Sequence, residues 1–168
     1  MNKIKKYTLF ILFISFGKFL FGQEELKRQE QLKVYKFFEN NTPEKNILDT
    51  SKIYAFAFKA IVKKNAKGEA KVISFTANDS IAYRLYPNYK LLKNINYGAF
   101  MRNRNQAIFI FPVILDVWKQ EWPEQNRKPN YDEVVMSLFS LPRDPYIDIE
   151  NWIYFTPHIL RMDLTVRF

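Results

Sequence analysis

Residue types that carry chemistry are scarce in this sequence. His158 is its only histidine, and it contains no Cys. Without Cys there is no disulfide framework, thiolate zinc site, Cys nucleophile or lipidated N-terminal Cys. General acid–base work and nucleophilic triads draw on a His oriented by a carboxylate. A lone His that follows Pro157 at the start of a strand reads as structural instead. None of Ser51, Ser74, Ser80, Ser137 and Ser140 lies in a Gly-x-Ser-x-Gly turn. Beyond residue 22 the only glycines are Gly68 and Gly98, too few for a phosphate-cradling loop. No catalytic residue, metal or cofactor is expected.

Three constellations remain. Asp144, Asp148 and Glu150 cluster with Arg143 around two prolines. Paired carboxylates hydrolyse glycosides when held about 5–9.5 Å apart across a cleft. A small hydrolase built on these three is therefore one reading, and a solvated turn with alternating strand charges is the better one. The spacing lacks the central Gly of a calcium loop. Arg102 and Arg104 alternate with Asn103 and Asn105 near Tyr97, Phe100 and Met101. Nucleic acid would need a longer stripe of cations with stacking aromatics, so this is read as an exposed turn feeding the next strand. Trp118 and Trp122 fall at a strand end and in a Pro-containing loop. With Trp152 and ten Tyr they offer faces for a glycan or a peptide. Trp118, Trp122, Arg102 and Arg104 are the candidate binding residues. The competing use of 17% aromatic residues is to fill a core that has no disulfides.

The elements that would position these groups begin after residue 22. Lys3, Lys5 and Lys6 precede an almost unbroken apolar run from Tyr7 to Phe16, followed by the small residues Gly17 and Gly22. That pattern is a secretory signal peptide over residues 1–22, with Gly22-Gln23 the preferred cleavage point. An uncleaved anchor is the alternative. A spanning helix needs about 20 apolar residues, whereas Lys18 interrupts the run. Cleavage would remove four of the 26 basic residues and none of the 17 acidic ones, lowering the net charge from +9 to +5. A mildly basic exported domain does not call for nucleic acid, and no stable membrane span is expected after cleavage.

Residues 23–168 are expected to form a single domain. Gln23 to Asn40 lacks Pro and Gly and is rich in Glu, Lys, Gln and Leu, which predicts a helix ended by Asn41-Thr42-Pro43. In Ile53 to Lys63, Tyr54, Phe56, Phe58, Ala60 and Val62 share one parity, the mark of a strand. Asn65-Ala66-Lys67-Gly68 is a turn, and Lys71 to Thr76 a second strand with Ile73 and Phe75 on one face. The two make a hairpin. Asn78, Asp79 and Ser80 are N-cap candidates for a short helix from Ile81 that Pro87 closes. Leu91 to Phe100 is turn or short helix. Ala107 to Trp118 is a nearly continuous apolar strand in which Pro112 marks an edge strand or a bulge. A loop follows to Pro129, then a short helix introduced by Asn130-Tyr131-Asp132-Glu133. Two strands are expected in the tail, Tyr146 to Phe155 and Ile159 to Phe168. Short helices packed on a small, mainly antiparallel sheet make the fold class α+β.

Phe56, Phe58, Val62, Gly68, Val72, Phe75 and the strand Ile108–Ile114 fall in the order hairpin, short helix, strand. That order resembles the C-terminal domain of TonB energy-transducing proteins, a small α+β module that contacts outer-membrane receptors. The resemblance implies a fold and carries no functional residue.

The expected function is that of a non-catalytic binding or accessory module, exported to the periplasm or beyond. It would hold an envelope protein or a glycan at a sheet edge or on exposed aromatics. Besides the hydrolase, an outer-membrane barrel is an alternative, because the last strand alternates strictly and ends in Phe168. A barrel needs at least about eight strands, and five are found.

Overall fold

The computed structural model describes residues 3–43, 48, 53–118 and 151–163. The fold is α+β: a mostly antiparallel, open five-stranded sheet with one main helix and short helices. The loop with Trp122, the helix expected after Asn130, the acidic residues Asp144, Asp148 and Glu150 and residues 164–168 lie outside the described residues.

Helix α1 runs Lys3–Asn40, continuous through Gly22-Gln23, so the expected helix boundary at Gln23 is not a break. Its second half carries the i,i+3 ion pairs Glu24–Lys27, Glu25–Arg28 and Glu30–Lys33, which favour helix locally. Over residues 22–40 its buried residues are Glu30, Val34, Phe37 and Phe38, at the spacing of a single helical stripe. The helix stops where side chains take its last carbonyls. Asn41 Nδ2 donates to Phe37 O (2.7 Å) and Thr42 Oγ1 to Glu39 O (2.9 Å) before Pro43.

Strand β1 (Ile53–Lys64) pairs antiparallel with β2 (Ala70–Ala77), and the turn between them closes at Gly68 with φ +81°. A β-bulge between Ile61 and Val62 sets Ile61 against Ser74 and Val62 against Val72. Ile73 is the extra residue. The expected common face of Ile73 and Phe75 is therefore corrected: Val72 and Phe75 pack on the core while Ile73 is 60% exposed. The short helix is α2 (Ile81–Leu85). Of its cap candidates Asp79 accepts from Ile81 N (2.9 Å), while Asn78 turns its Oδ1 to Ala57 N (2.7 Å). A 3₁₀ turn (Tyr89–Asn94) and α3 (Gly98–Met101) lead to β3 (Gln106–Trp118).

Strand β3 is interior, which corrects the edge position expected from Pro112. It pairs antiparallel with β1 on one side and parallel with β4 (Trp152–Tyr154) and β5 (His158–Asp163) on the other. The register explains how a proline survives there. Ala57, opposite Pro112, bonds through both main-chain groups to Asn78, so the main chain of Pro112 faces away from β1. On that far side the ladder is interrupted. Tyr154 pairs with Ile110 and His158 with Val113, four residues against three, with Phe155-Thr156-Pro157 forming the link. The missing N–H is aimed at this interruption, where the described strands make no ladder bond.

Phe56, Phe58, Ala60 and Val62 from β1 and Ala107, Phe109, Phe111, Val113 and Leu115 from β3 form one face of the sheet. They are buried beneath α1 and the short helices. Aromatic rings carry this core. Phe38 meets Tyr86 edge-on at 5.3 Å, Phe58 stacks on Tyr89 at 5.9 Å and Phe111 on Phe155 at 4.6 Å. Each fully buried large apolar side chain contributes about 1.5–3 kcal/mol, so a fold without disulfides has ample means of stability. Ala57, Ile108 and Ile110 form a smaller cluster on the opposite face, with Ile61 and Trp152 against it.

Candidate functional site: the groove between α1 and β5

A groove of about 660 Å³ separates the C-terminal half of α1 from the β4–β5 link and β5. One wall is helical: Arg28, Leu32, Tyr35, Phe38 and Thr42 among others, at spacings of three and four residues. This stripe lies beside the one that α1 buries. Leu32 and Tyr35 are 48% and 55% exposed, so the helix presents a second, unsatisfied apolar strip. The other wall is Phe155, Thr156, Pro157, His158, Ile159 and Leu160, with Phe111 and Pro112 at the floor. The interruption that accommodates Pro112 thus also shapes the groove.

His158 is the first residue of β5. Its imidazole stacks on Phe38 (centroids 5.2 Å apart, planes 22° from parallel) and meets Tyr35 edge-on at 6.0 Å. Its Nε2 is enclosed and has no hydrogen-bond partner among the described residues. Burial lowers the pKa of the ring below its ordinary value, and the negative charge of Glu39 opposes that shift. The neutral imidazole therefore packs as an aromatic side chain. Among the described residues no carboxylate hydrogen-bonds to it, and no cluster of His, Cys, Asp or Glu could hold a metal ion.

The main chain along β5 has a defined polarity. Phe155 N donates to Ile110 O (2.9 Å), which directs the main chain of Ile110, and two residues on that of Pro112 and Ile114, toward β4 and β5. In a parallel ladder His158, Leu160 and Met162 then turn their N–H and C=O inward to β3, and Ile159 and Arg161 turn theirs outward. Among the described residues no strand pairs with that outer side. Ile159 is 63% exposed, and the Arg161 side chain is 76% exposed, 3.6 Å from Asp116 Oδ2.

The sequence-derived candidates lie elsewhere. Arg102 sits in an exposed turn with φ +45°. Its carbonyl accepts from Lys64 Nζ (2.6 Å) and its guanidinium is 3.6 Å from Glu24 Oε1. Arg104 N closes the same turn by donating to Met101 O (2.7 Å), as expected of a turn that feeds β3. Neither lines the groove. Trp118 is the last residue of β3, paired with Asp163. Trp122 is outside the described residues. Trp152 starts β4 and lies against the smaller apolar cluster, its Nε1 buried without a partner among the described residues. Leu32, Tyr35 and Ile159, which the sequence reading passed over, carry a weak signal: two are apolar residues off the buried stripe of an amphipathic helix.

No family model, curated protein or solved structure matches this chain. The order hairpin, short helix, strand expected over residues 53–117 is present as β1, β2, α2 and β3.

Proposed function

We propose that the protein is an exported, non-catalytic binding module of the cell envelope, and that its ligand lies in the groove between α1 and β5. The observation that carries this reading is the groove itself. It is open, walled by exposed apolar side chains, and bordered by a strand edge that no described strand covers. Leu32 and Tyr35 place exposed apolar surface on the helical wall of the groove, and such surface marks contact sites. The basic, apolar leader supports export. The chemistry of the groove supports binding over catalysis, because its only imidazole is held by rings rather than by a carboxylate.

The test places a photo-crosslinking side chain at Leu32, in the groove, or at Leu91, which is exposed on the 3₁₀ turn outside it. The full chain carrying either group is expressed with its own leader. A discrete envelope adduct from position 32 and none from position 91 is the expected result. Adducts of equal yield from both positions, or a product retained in the cytosol with Met1 attached, would overturn the reading.

A further inference from the structure

Six cations gather at one end of the sheet. Lys63 and Lys64 close β1, Lys67 lies in the turn, Lys71 stands at the start of β2, and Arg102 and Arg104 lie in the loop that enters β3. The fold ties these segments together. Lys64 donates to the loop twice, from N to Asn105 O (2.8 Å) and from Nζ to Arg102 O (2.6 Å). Glu24 stands 3.6 Å from the Arg102 guanidinium, and Glu69 of the turn accepts from Asn65 Nδ2 (2.7 Å). Lys63, Lys67 and Lys71 are exposed and form no ion pair among the described residues. Lys63 and Lys71 are moreover register partners. Like charges directly opposite one another on a sheet face are destabilising, and an anion lying across both removes that cost.

Two further features point to the kind of anion. The bulge leaves Ile73 60% exposed, two residues from Lys71. An apolar side chain beside lysines matches a bilayer interface, where headgroup charge lies over acyl chains. The leader also joins the body at this end. Glu24, which meets Arg102, is two residues from Gly22, and α1 runs back from there without a break. The other end of the same helix is where Asn88 Nδ2 donates to Asn41 Oδ1 (3.1 Å). A leader engaged in a membrane therefore holds the basic end next to the headgroups.

We infer that the basic end of the β1–β2 hairpin docks on an anionic phospholipid surface, with Lys63, Lys67 and Lys71 over the headgroup phosphates and Ile73 in the interface. Nucleic acid offers phosphates but no apolar layer for Ile73. Strand β2 lies at the opposite edge of the sheet from the groove, so this inference goes beyond the binding-module reading.

The experiment measures partition of the full chain to vesicles of phosphatidylcholine alone and of an equal mixture with phosphatidylglycerol. The leader is common to every variant, so differences report the folded body. Lys63→Gln with Lys71→Gln should lower partition to the anionic vesicles at least about tenfold, since each cation near such a surface is worth about fivefold. Partition to the neutral vesicles should not change. Lys36→Gln with Lys90→Gln removes the same charge from exposed positions toward the other end of α1. Salt screens charges held away from the bilayer, so that pair should change partition less than about twofold. Because the chain has no Cys, Ile73→Cys creates a single labelling site. An environment-sensitive dye there should shift to the blue on anionic vesicles, whereas the same dye at Leu91→Cys, on the 3₁₀ turn, should not. Equal losses from the two lysine pairs, or no shift at position 73, would overturn docking through this end. Tighter binding to a DNA duplex than to the anionic vesicles in the same salt would also overturn it, by assigning the lysines to nucleic acid.

Discussion

The imidazole of His158 lies on the ring of Phe38, 5.2 Å between centroids, and this contact joins the first residue of β5 to the buried stripe of α1. It brings together residues 120 positions apart and makes one ring serve both the core and the wall of the groove. Because Nε2 is enclosed without a partner among the described residues, the contact tolerates a neutral ring and resists a charged one.

A pH dependence follows. Burial holds the folded-state pKa of His158 below the ordinary value of 6.5, Glu39 partly offsetting it. The unfolded chain therefore takes up the proton first. The His158 contribution is fully present above pH 6.5 and is lost as pH falls through the lower folded-state value. Urea unfolding from pH 8 to pH 5 should show this decline in the natural chain and a flatter one in His158→Phe, which keeps the stacking. Equal slopes in the two proteins would show that His158 does not set the acid limb.

Glu30 should be the most consequential acidic residue of α1. It is 2% exposed, its Oε2 accepts from Asn96 N (2.9 Å) and its Oε1 from Lys33 Nζ (2.6 Å). Removing it strands a main-chain donor on the segment before α3, so Glu30→Ala should cost about 1–3 kcal/mol in urea denaturation. Glu25→Ala, which deletes only exposed contacts, the pair with Arg28 and a bond from Gln29 Nε2, should change the midpoint too little to resolve. Similar losses from both would contradict the anchoring of α1 through Glu30.

The pairing of β1 with the residue after β2 gives a second stability test. Asn78 Oδ1 accepts from Ala57 N (2.7 Å), and Asn78 N donates to Ala57 O (3.2 Å). The first bond is lost in Asn78→Ala, and about 1–3 kcal/mol of stability should go with it. Asn78→Asp keeps the acceptor and should retain most of that. Hydrogen exchange at the Ala57 amide should quicken in the Ala variant alone.

Gly68 isolates a backbone effect. A Cβ there would meet nothing within 4 Å, yet φ is +81°. The cost of Gly68→Ala is thus conformational, about 1–2 kcal/mol, and Gly68→Asn should cost less because Asn tolerates this region better. Thermal melts of the three proteins would order them Gly, Asn, Ala. An Ala variant as stable as the natural chain would place the turn in another conformation.

The hairpin, the short helix before Pro87 and the apolar strand through Trp118 were legible because each rests on local pattern: parity in β1, Gly68 in the turn, a proline after the helix. The face of Ile73 was not, since a bulge is decided by how two strands fit together. Pro112 misled for a related reason. A proline excludes one donor, and whether that donor is needed depends on the strand beside it, here the interrupted β4–β5 edge. The groove was hidden too, because Leu32 and Tyr35 stand more than 100 positions from His158 and Ile159.

By itself the sequence determined the fold class and the composition of the core. Alternation, helical stripes and turn residues act between near neighbours, and a Cys-free chain of 17% aromatic residues draws its core largely from rings. Only the tertiary structure decided which strand lies inside, which edge stays open and what the single histidine touches. Those are relations between segments far apart in the chain, and no local preference of φ and ψ or of side-chain burial encodes them.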